Sequence, residues 1–287
     1  MWLSYRTTGN RILLGVRTTE DPTTNTYHEY DLSADPKVRA KSDHPPALGG
    51  FKGRLYVAWK SEGPNTGIWY QRTDGAGNWN PGPILIGASF KTSSAPVLQE
   101  YNGKLYLAWL DQFAGADHTY FIWFSTTDDG VHWTSPTRQT VDSSGNFARS
   151  PYFPDFSILN GALYIFWGSG PTHGDQVYYA PVHLGSTVTH LAVHGGTWKT
   201  KIGNAVVFRV GQQYIFTTGL DLGIWVATGP GWADYTNLKT SAATALSSHS
   251  PSAAIVPGIP GGTPWRIFLV WKNQGSSNTL WESSHDI

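Results

Sequence analysis

Apolar residues in this chain gather in short runs with no polar alternation, and the clearest runs are versions of one phrase. It reads Gly53-Arg54-Leu55-Tyr56-Val57-Ala58-Trp59, Gly103-Lys104-Leu105-Tyr106-Leu107-Ala108-Trp109 and Gly161-Ala162-Leu163-Tyr164-Ile165-Phe166-Trp167. Keeping the apolar positions and relaxing the ends adds Asn10 to Val16, Gly211 to Thr217 and Trp265 to Trp271. The six copies begin at 10, 53, 103, 161, 211 and 265, in steps of 43, 50, 58, 50 and 54 residues. A strand-like phrase recurring at a long period marks a repeat architecture.

A second phrase follows each copy: Gly67-Ile68-Trp69-Tyr70, Phe121-Ile122-Trp123-Phe124, Gln176-Val177-Tyr178-Tyr179, Gly223-Ile224-Trp225-Val226 and Thr279-Leu280-Trp281-Glu282, with Asn25-Thr26-Tyr27-His28 as the first member. A shorter run precedes most copies, at Pro46 to Leu48, Pro96 to Leu98, Pro151 to Phe153, Ala205 to Val207 and Pro251 to Ala254. A fourth strand is expected around 78–86, 133–140, 187–193 and 232–240, and a segment near residues 1–8 is expected to complete the last unit. In Leu55 to Trp59 neither parity is polar, so the strand is expected to be buried on both faces by other sheets. Blades stacked face to face meet that demand. The pattern therefore predicts an all-β chain forming one six-bladed β-propeller of four-stranded antiparallel blades, with units at about 1–41, 42–87, 88–141, 142–196, 197–241 and 242–287.

Composition narrows the partners. Charged residues make up 14% and aromatic residues another 14%, with 14 tryptophans, which implies a large aromatic core. Twenty basic and twenty acidic side chains cancel without any run of one sign, so neither a nucleic-acid footprint nor a polybasic membrane patch is expected. Cysteine is absent, which excludes disulfides, thiolate metal sites and a cysteine nucleophile. No apolar stretch approaches the roughly 18 residues of a membrane span, and the first residues do not read as a signal peptide. The chain is expected to be secreted or cytoplasmic. The histidines show no ligand spacing and no Asp-x-Asp-x-Asp loop occurs, so no metal and no cofactor is expected.

Between the third and fourth strands of one unit lies Thr126-Thr127-Asp128-Asp129-Gly130-Val131-His132-Trp133. It resembles the Asp-box, Ser/Thr-x-Asp-x-Gly-x-x-Trp, of the sialidase-like (BNR repeat) propellers, with a worn copy around Asp74 and Trp79. The resemblance implies that Asp128 accepts hydrogen bonds from turn amides, Gly130 takes a positive φ and Trp133 wedges between strands. It also implies that this turn is scaffold, on the face away from the ligand.

Chain direction then puts the second-to-third strand loops and the unit-to-unit links on the opposite face, where recognition usually sits. A polar residue stands two positions before a proline in several links: His44, Ser94, Arg149 and His249. These either line a pocket of hydrogen-bonding groups or cap the inner strands. The tryptophans that end the second strands, Trp59, Trp109, Trp167 and Trp271, could offer a ring face to a pyranose, with Lys60, Asp111 or Lys272 bonding its hydroxyls; interblade packing is the alternative use of the same rings.

Three functions compete. The resembled fold hosts sialidases, which require three arginines, a tyrosine paired with a glutamate and an acid/base aspartate. Here Arg17 and Arg149 are suitably placed without a third, and Arg11-Ile12 runs into Leu13 where the family has a proline. Among the five glutamates only Glu20 and Glu62 fall in ligand-face loops, and no tyrosine partner is evident. A lectin asks only for aromatic clefts and polar loops, with several similar sites adding avidity. A protein-binding scaffold would want a broad charged or apolar surface. Glycan recognition is the reading preferred from sequence, glycoside hydrolysis the alternative, and oligomeric state is left open.

Overall fold

The computed structural model describes residues 2–7, 9–16, 28–34, 40–64, 66–74, 78–79, 82–111, 120–140, 148–168, 176–182, 189–190, 192–193, 196–197, 202–209, 212–218, 224–228, 234–237, 251–256, 266–272 and 280–286. The described residues are strands, turns and irregular segments, with no helix among them. They fall into two compact units, one of residues 1–114 and 122–138, the other of 115–121 and 139–287.

The first unit holds three antiparallel meanders. Trp2–Arg6, Ile12–Val16 and His28–Asp31 form one; Ala47–Phe51, Arg54–Lys60, Ile68–Arg72 and Ile84–Leu85 the next; Val97–Tyr101, Lys104–Leu110, Tyr120–Thr127 and Thr137–Arg138 the third. Each predicted phrase is a strand, and in the copies at 53 and 103 the opening glycine closes a hairpin. Lys52 and Gly53 have φ of 49° and 71°, and Asn102 and Gly103 of 49° and 72°, the paired positive angles of a two-residue turn that matches strand twist.

Burial on both faces is realised in the middle sheet. Tyr56, Val57, Ala58 and Trp59 are all 2% exposed or less. Val57 and Trp59 join Ile12 and Leu14 of the first sheet, together with Leu32 and Ala40 that follow it in the chain, while Tyr56 and Ala58 join Leu105, Leu107 and Trp109 of the third. One strand thus belongs to two cores.

The second unit repeats the arrangement. Asp155–Leu159, Ala162–Gly168, Val177–Pro181 and Thr189–His190 form a sheet, as do Ile202–Arg209, Gln212–Thr218, Ile224–Thr228 and Asp234–Asn237. Ser252–Val256, Arg266–Lys272 and Leu280–Asp286 form a three-stranded one, and Ala192–Val193 pairs with Gly196–Thr197. Phe216, Ile224, Ile267, Leu269 and Trp271 share a core. Tyr120 and Phe121, the first residues of their strand, pair here with Ser150 and Arg149.

Three expectations change. In the middle sheet Ser61 N donates to Gly67 O (3.0 Å), Ile86 N donates to Ile68 O (3.0 Å) and Lys91 bridges Gly67. In the first sheet Thr7 N donates to Arg11 O (3.0 Å), Leu32 N donates to Ile12 O (3.0 Å) and Lys41 bridges Arg11. The matching bonds put the first sheet's strands at second, third and fourth positions. Asn10 to Val16 is therefore a third strand, and Trp2–Arg6 pairs with it rather than completing the last unit. A run buried on both sides looks alike at either position, so composition does not separate them. The inner strand predicted from Pro151 begins instead at Asp155, after Pro154, because Asp155 pairs with Phe166 as Ala47 pairs with Ala58.

The third change concerns the turn after Thr127. Asp129, not Asp128, holds it: Asp129 Oδ1 accepts from Val131 N and His132 N (both 2.8 Å) and from Thr127 Oγ1 (3.0 Å). Asp128 is exposed and pairs with Lys104 at 2.6 Å. Asp129 lies above the bend where its oxygens face the following amides, one residue past the position the motif implies. Hydrogen bonds from the His132 side chain and the turn amides hold its carboxyl far below the usual range. Gly130 has φ of 75°, and Trp133 packs against the core with its ring edge-on to Tyr70 at 6.1 Å, as the motif implied.

Two predictions follow from this geometry. A Cβ at Gly130 would stand 1.8 Å from Tyr56 Oη, whereas one at Gly53 (φ 71°) meets nothing within 4 Å. Gly53→Ala should cost about 1 kcal/mol in backbone strain alone, and Gly130→Ala about 1–3 kcal/mol more for the clash, read as ΔG from urea denaturation. Asp129→Asn should lower the midpoint of thermal unfolding measurably while Asp128→Asn leaves it within error; equal effects would contradict the assignment of Asp129 as the turn's anchor.

Candidate functional site

The links between consecutive sheets carry a repeated device. Ser42 Oγ donates to His44 O (2.7 Å) and accepts from His44 N (3.1 Å). Thr92 Oγ1 does the same with Ser94 (3.0 and 3.1 Å), and Ser150 Oγ with Tyr152 (2.6 and 2.9 Å). All three hydroxyl residues are fully buried. A buried hydroxyl that satisfies both backbone groups two residues on fixes the link's bend without water.

The links are also sewn to the second-to-third strand loops. Ser42 N donates to Asn10 O (2.9 Å), Thr92 N to Thr66 O (2.8 Å) and Ser93 N to Asp111 O (3.1 Å). In the second unit Gly168 O also stands 2.7 Å from Ser150 Oγ and shares that hydroxyl's one proton with Tyr152 O. Links and loops therefore meet at one end of their sheets, as chain direction required.

This register moves one expected residue. His44 corresponds to Ser94 and Tyr152, whereas Arg149 corresponds to Lys41 and Lys91: each of these cations precedes the buried hydroxyl and bridges a neighbouring strand, at Phe121, Arg11 and Gly67 respectively. The mismatch arose because Pro154, not Pro151, is the counterpart of Pro46. Arg149 is exposed and lays its guanidinium over the Phe121 ring, 4.2 Å from the centroid. The signal for the true register was legible as Lys41-Ser42, Lys91-Thr92 and Arg149-Ser150, a cation followed by a hydroxyl.

The expected aromatic contacts are not at the surface. Trp59, Trp109, Trp167 and Trp271 are 1–3% exposed, so their rings are packing and leave no face for a sugar. The tryptophan lies at the buried end of its strand, and burying it gains about 2–3 kcal/mol that an exposed ring would forgo. Half-buried rings occur in the third strands, at Trp69, Trp123, Tyr178 and Trp225. Trp123 is bracketed, its Nε1 donating to Asp111 Oδ2 (3.3 Å) and Arg138 lying over its face at 4.7 Å. Asp111 thus positions an indole. His249 lies outside the described residues, as do the loop at 17–25 and Glu20; Lys272 is described by its backbone, which pairs with Leu280.

Lys60 is the clearest correction. It is 4% exposed, and its ammonium donates to Asp43 Oδ1 (2.8 Å), Asp43 Oδ2 (2.9 Å), Ser61 O (3.0 Å) and Gly63 O (3.2 Å). More acceptors than it has protons surround it, so none is left for a ligand. Its partner Asp43 was missed in the sequence because a lone aspartate in a link carries no pattern. Asp43 Oδ1 also stands 2.9 Å from His44 Nδ1. Partial burial pushes the Asp43 carboxyl up, but hydrogen bonds from Lys60 and His44 outweigh it and hold the group below the usual range. Beside this set Arg6 Nη1 donates to Asn10 Oδ1 (2.7 Å) and Asn10 Nδ2 to Glu62 Oε1 (2.8 Å).

The Lys60–Asp43–His44 chain is therefore a fixed polar row with a buried cation at one end and a side chain one-third exposed at the other. Such a row can orient a ring nitrogen and bond a hydroxyl; both oxygens of Asp43 are already engaged. Among the described residues no group of three or more His, Asp or Glu converges as a metal site would.

No family model matches the chain, and no curated protein matches it in sequence. Solved structures do resemble it in fold. AofleA from Arthrobotrys oligospora superposes with a TM-score of 0.68 at 11% identity, over 100% of this chain and 82% of that one. An alpha-L-arabinanase from Penicillium chrysogenum, solved with arabinobiose, gives 0.61 at 14% identity over 99% and 92%. A GH43 endo-arabinanase from Bacillus licheniformis gives 0.50 at 15% identity over 86% and 95%. At such identities the likeness is one of fold, mostly β and of the β-propeller kind.

The ion pair sets a pH prediction. Because Asp43 titrates below the ordinary value of 3.8, its contribution is fully present above that value and is lost as pH falls through its own, lower pKa. Asp43→Asn should cost about 1–2 kcal/mol at pH 7. The penalty should shrink as pH drops below 3.8, so that the acid limb of stability, measured by urea denaturation from pH 7 to 2, becomes shallower than in the wild type.

Proposed function

We propose that this protein binds glycans, as a lectin-like six-bladed β-propeller whose single domain spans the chain, and that the links between consecutive sheets are its binding seats. One observation carries the reading: the link at 41–44 is rigidly prepared by Ser42, Asp43 and buried Lys60, yet ends in the His44 side chain, which is about one-third exposed. Preorganised hydrogen-bonding groups on a rigid frame are what sugar recognition asks for. The same register offers Lys41, Lys91 and Arg149, which supports several related sites and avidity between them. The chain-long likeness to an arabinanase solved with arabinobiose is consistent with a saccharide ligand. The resemblance to sialidase-like propellers rests on Gly130 and Trp133, with the turn's carboxylate shifted to Asp129.

The second reading is a glycoside hydrolase, favoured by the likeness to two arabinanases. Glu62 would be its loop carboxylate. Against it, Lys60 holds both oxygens of Asp43 and Asn10 engages Glu62, so both carboxylates already have partners within the protein.

A glycan array with sugar-inhibited haemagglutination tests the first reading; binding to a defined glycan class is expected, and silence at millimolar sugar would refute it. Lys41→Ala and Lys91→Ala should each reduce the agglutination titre severalfold without changing the thermal midpoint. Fluorogenic arabinosides, galactosides and sialosides test the second: turnover abolished by Glu62→Gln would establish the hydrolase instead.

A further inference from the structure

The row that ends at His44 does more than expose a polar group. Four observations converge on this residue. Its backbone amide and carbonyl are both held by the fully buried Ser42 hydroxyl, at 3.1 and 2.7 Å. Its ring Nδ1 stands 2.9 Å from Asp43 Oδ1. Asp43 in turn is gripped on both oxygens by Lys60, at 2.8 and 2.9 Å. Finally, Lys60 is itself immobilised by Ser61 O and Gly63 O at 3.0 and 3.2 Å. The imidazole remains about one-third exposed, at 32%.

The chemistry of that row dictates a tautomer. A carboxylate can only accept, so the contact at Nδ1 requires a proton on Nδ1. In a neutral ring the other nitrogen, Nε2, is then the acceptor. Lys60 supports this by keeping Asp43 ionised, and the charged groups set against the imidazole are Asp43 from its own link and, behind Asp43, Lys60 from the end of the second strand; Glu62 in the adjoining loop is bonded by Asn10. A free imidazole in water favours the opposite tautomer, so the row inverts the default.

We propose that Lys60 and Asp43 act as positioning residues that present His44 Nε2 as a fixed hydrogen-bond acceptor, and that this nitrogen receives a donating hydroxyl of the bound sugar. The inference rests on the glycan reading for its ligand and stands on the row's geometry for its tautomer. It makes His44 the specificity residue of the link. A ligand whose hydroxyl at that point is methylated or deoxygenated leaves an acceptor facing a group that cannot donate, and binding falls.

The test has two arms. Long-range nitrogen–proton NMR of the labelled full chain at pH 8 should show His44 protonated at Nδ1 and bare at Nε2, and Asp43→Asn should move the ring toward the Nε2–H form. A wild-type ring already protonated at Nε2, or one that ignores Asp43→Asn, overturns the proposal by itself. In the second arm, arabinobiose and the methyl pyranosides of glucose, galactose, mannose and fucose are titrated against wild type, His44→Ala and His44→Gln. His44→Ala should weaken the bound sugar tenfold or more, and His44→Gln, whose side-chain oxygen can occupy the Nε2 position, should restore part of it. Unchanged affinity in His44→Ala overturns the role of Nε2 even if the tautomer is as expected. Failure of every sugar and of the glycan array to bind wild type overturns the glycan reading and the ligand half of this inference together, which the NMR arm distinguishes from failure of the row. His44→Ala leaves the Lys60–Asp43 pair intact, so its amide spectrum should stay folded and native.

Discussion

The structure depends on strands that are buried on both faces. Tyr56, Val57, Ala58 and Trp59 send alternate side chains into two cores, one shared with the preceding sheet and one with the following. Burial of each large side chain contributes about 2–3 kcal/mol, whereas an exposed ion pair such as Lys104–Asp128 is screened by water and adds little. The ranking explains the low charge content and the fate of the terminal tryptophans. Once both sides of a sheet must be covered, the ring that ends its second strand is a core residue first.

That constraint also shapes the links. A chain leaving one sheet for the next has polar backbone groups close to a dry core and must satisfy them internally. The buried hydroxyls of Ser42, Thr92 and Ser150 do so, each bonding both the amide and the carbonyl of the residue two positions on. The bend they impose is the same in each case, so the next side chain, His44, Ser94 or Tyr152, leaves the link from the same place. A hydroxyl chosen for backbone satisfaction sets the position from which variable chemistry is displayed, and at His44 the buried Lys60–Asp43 pair adds a second restraint.

At the other end of the sheets the turn after Thr127 obeys a stricter rule. Gly130 lies against Tyr56 Oη so closely that no side chain fits, and Arg72 Nη1 reaches both Tyr56 Oη (3.3 Å) and Gly130 O (3.4 Å). Tyr56 stacks on Tyr70 at 6.3 Å, and Tyr70 meets Trp133. A turn on one sheet is thereby keyed into the aromatic layer of its neighbour. Gly130 and Trp133 have a packing reason here, while the turn's carboxylate needs only to face the turn amides, a task Asp129 performs.

The sequence by itself determined the strands, their antiparallel order and their double burial, because those follow from local runs of apolar residues and from glycine turns that any reader of the chain can place. Gly53, Gly103 and Gly161 mark hairpins through a local backbone demand, and Leu55 to Trp59 mark burial through the lack of any polar parity. Only tertiary structure decided which position a strand takes within its sheet, as with Ile12–Val16, since a doubly buried run carries no label for second or third place. It alone decided that Lys60 faces inward to Asp43 and that Asp129 displaces Asp128. A charged side chain's role depends on what lies within about 3 Å of its polar atoms, and those neighbours come from segments that sequence spacing does not connect.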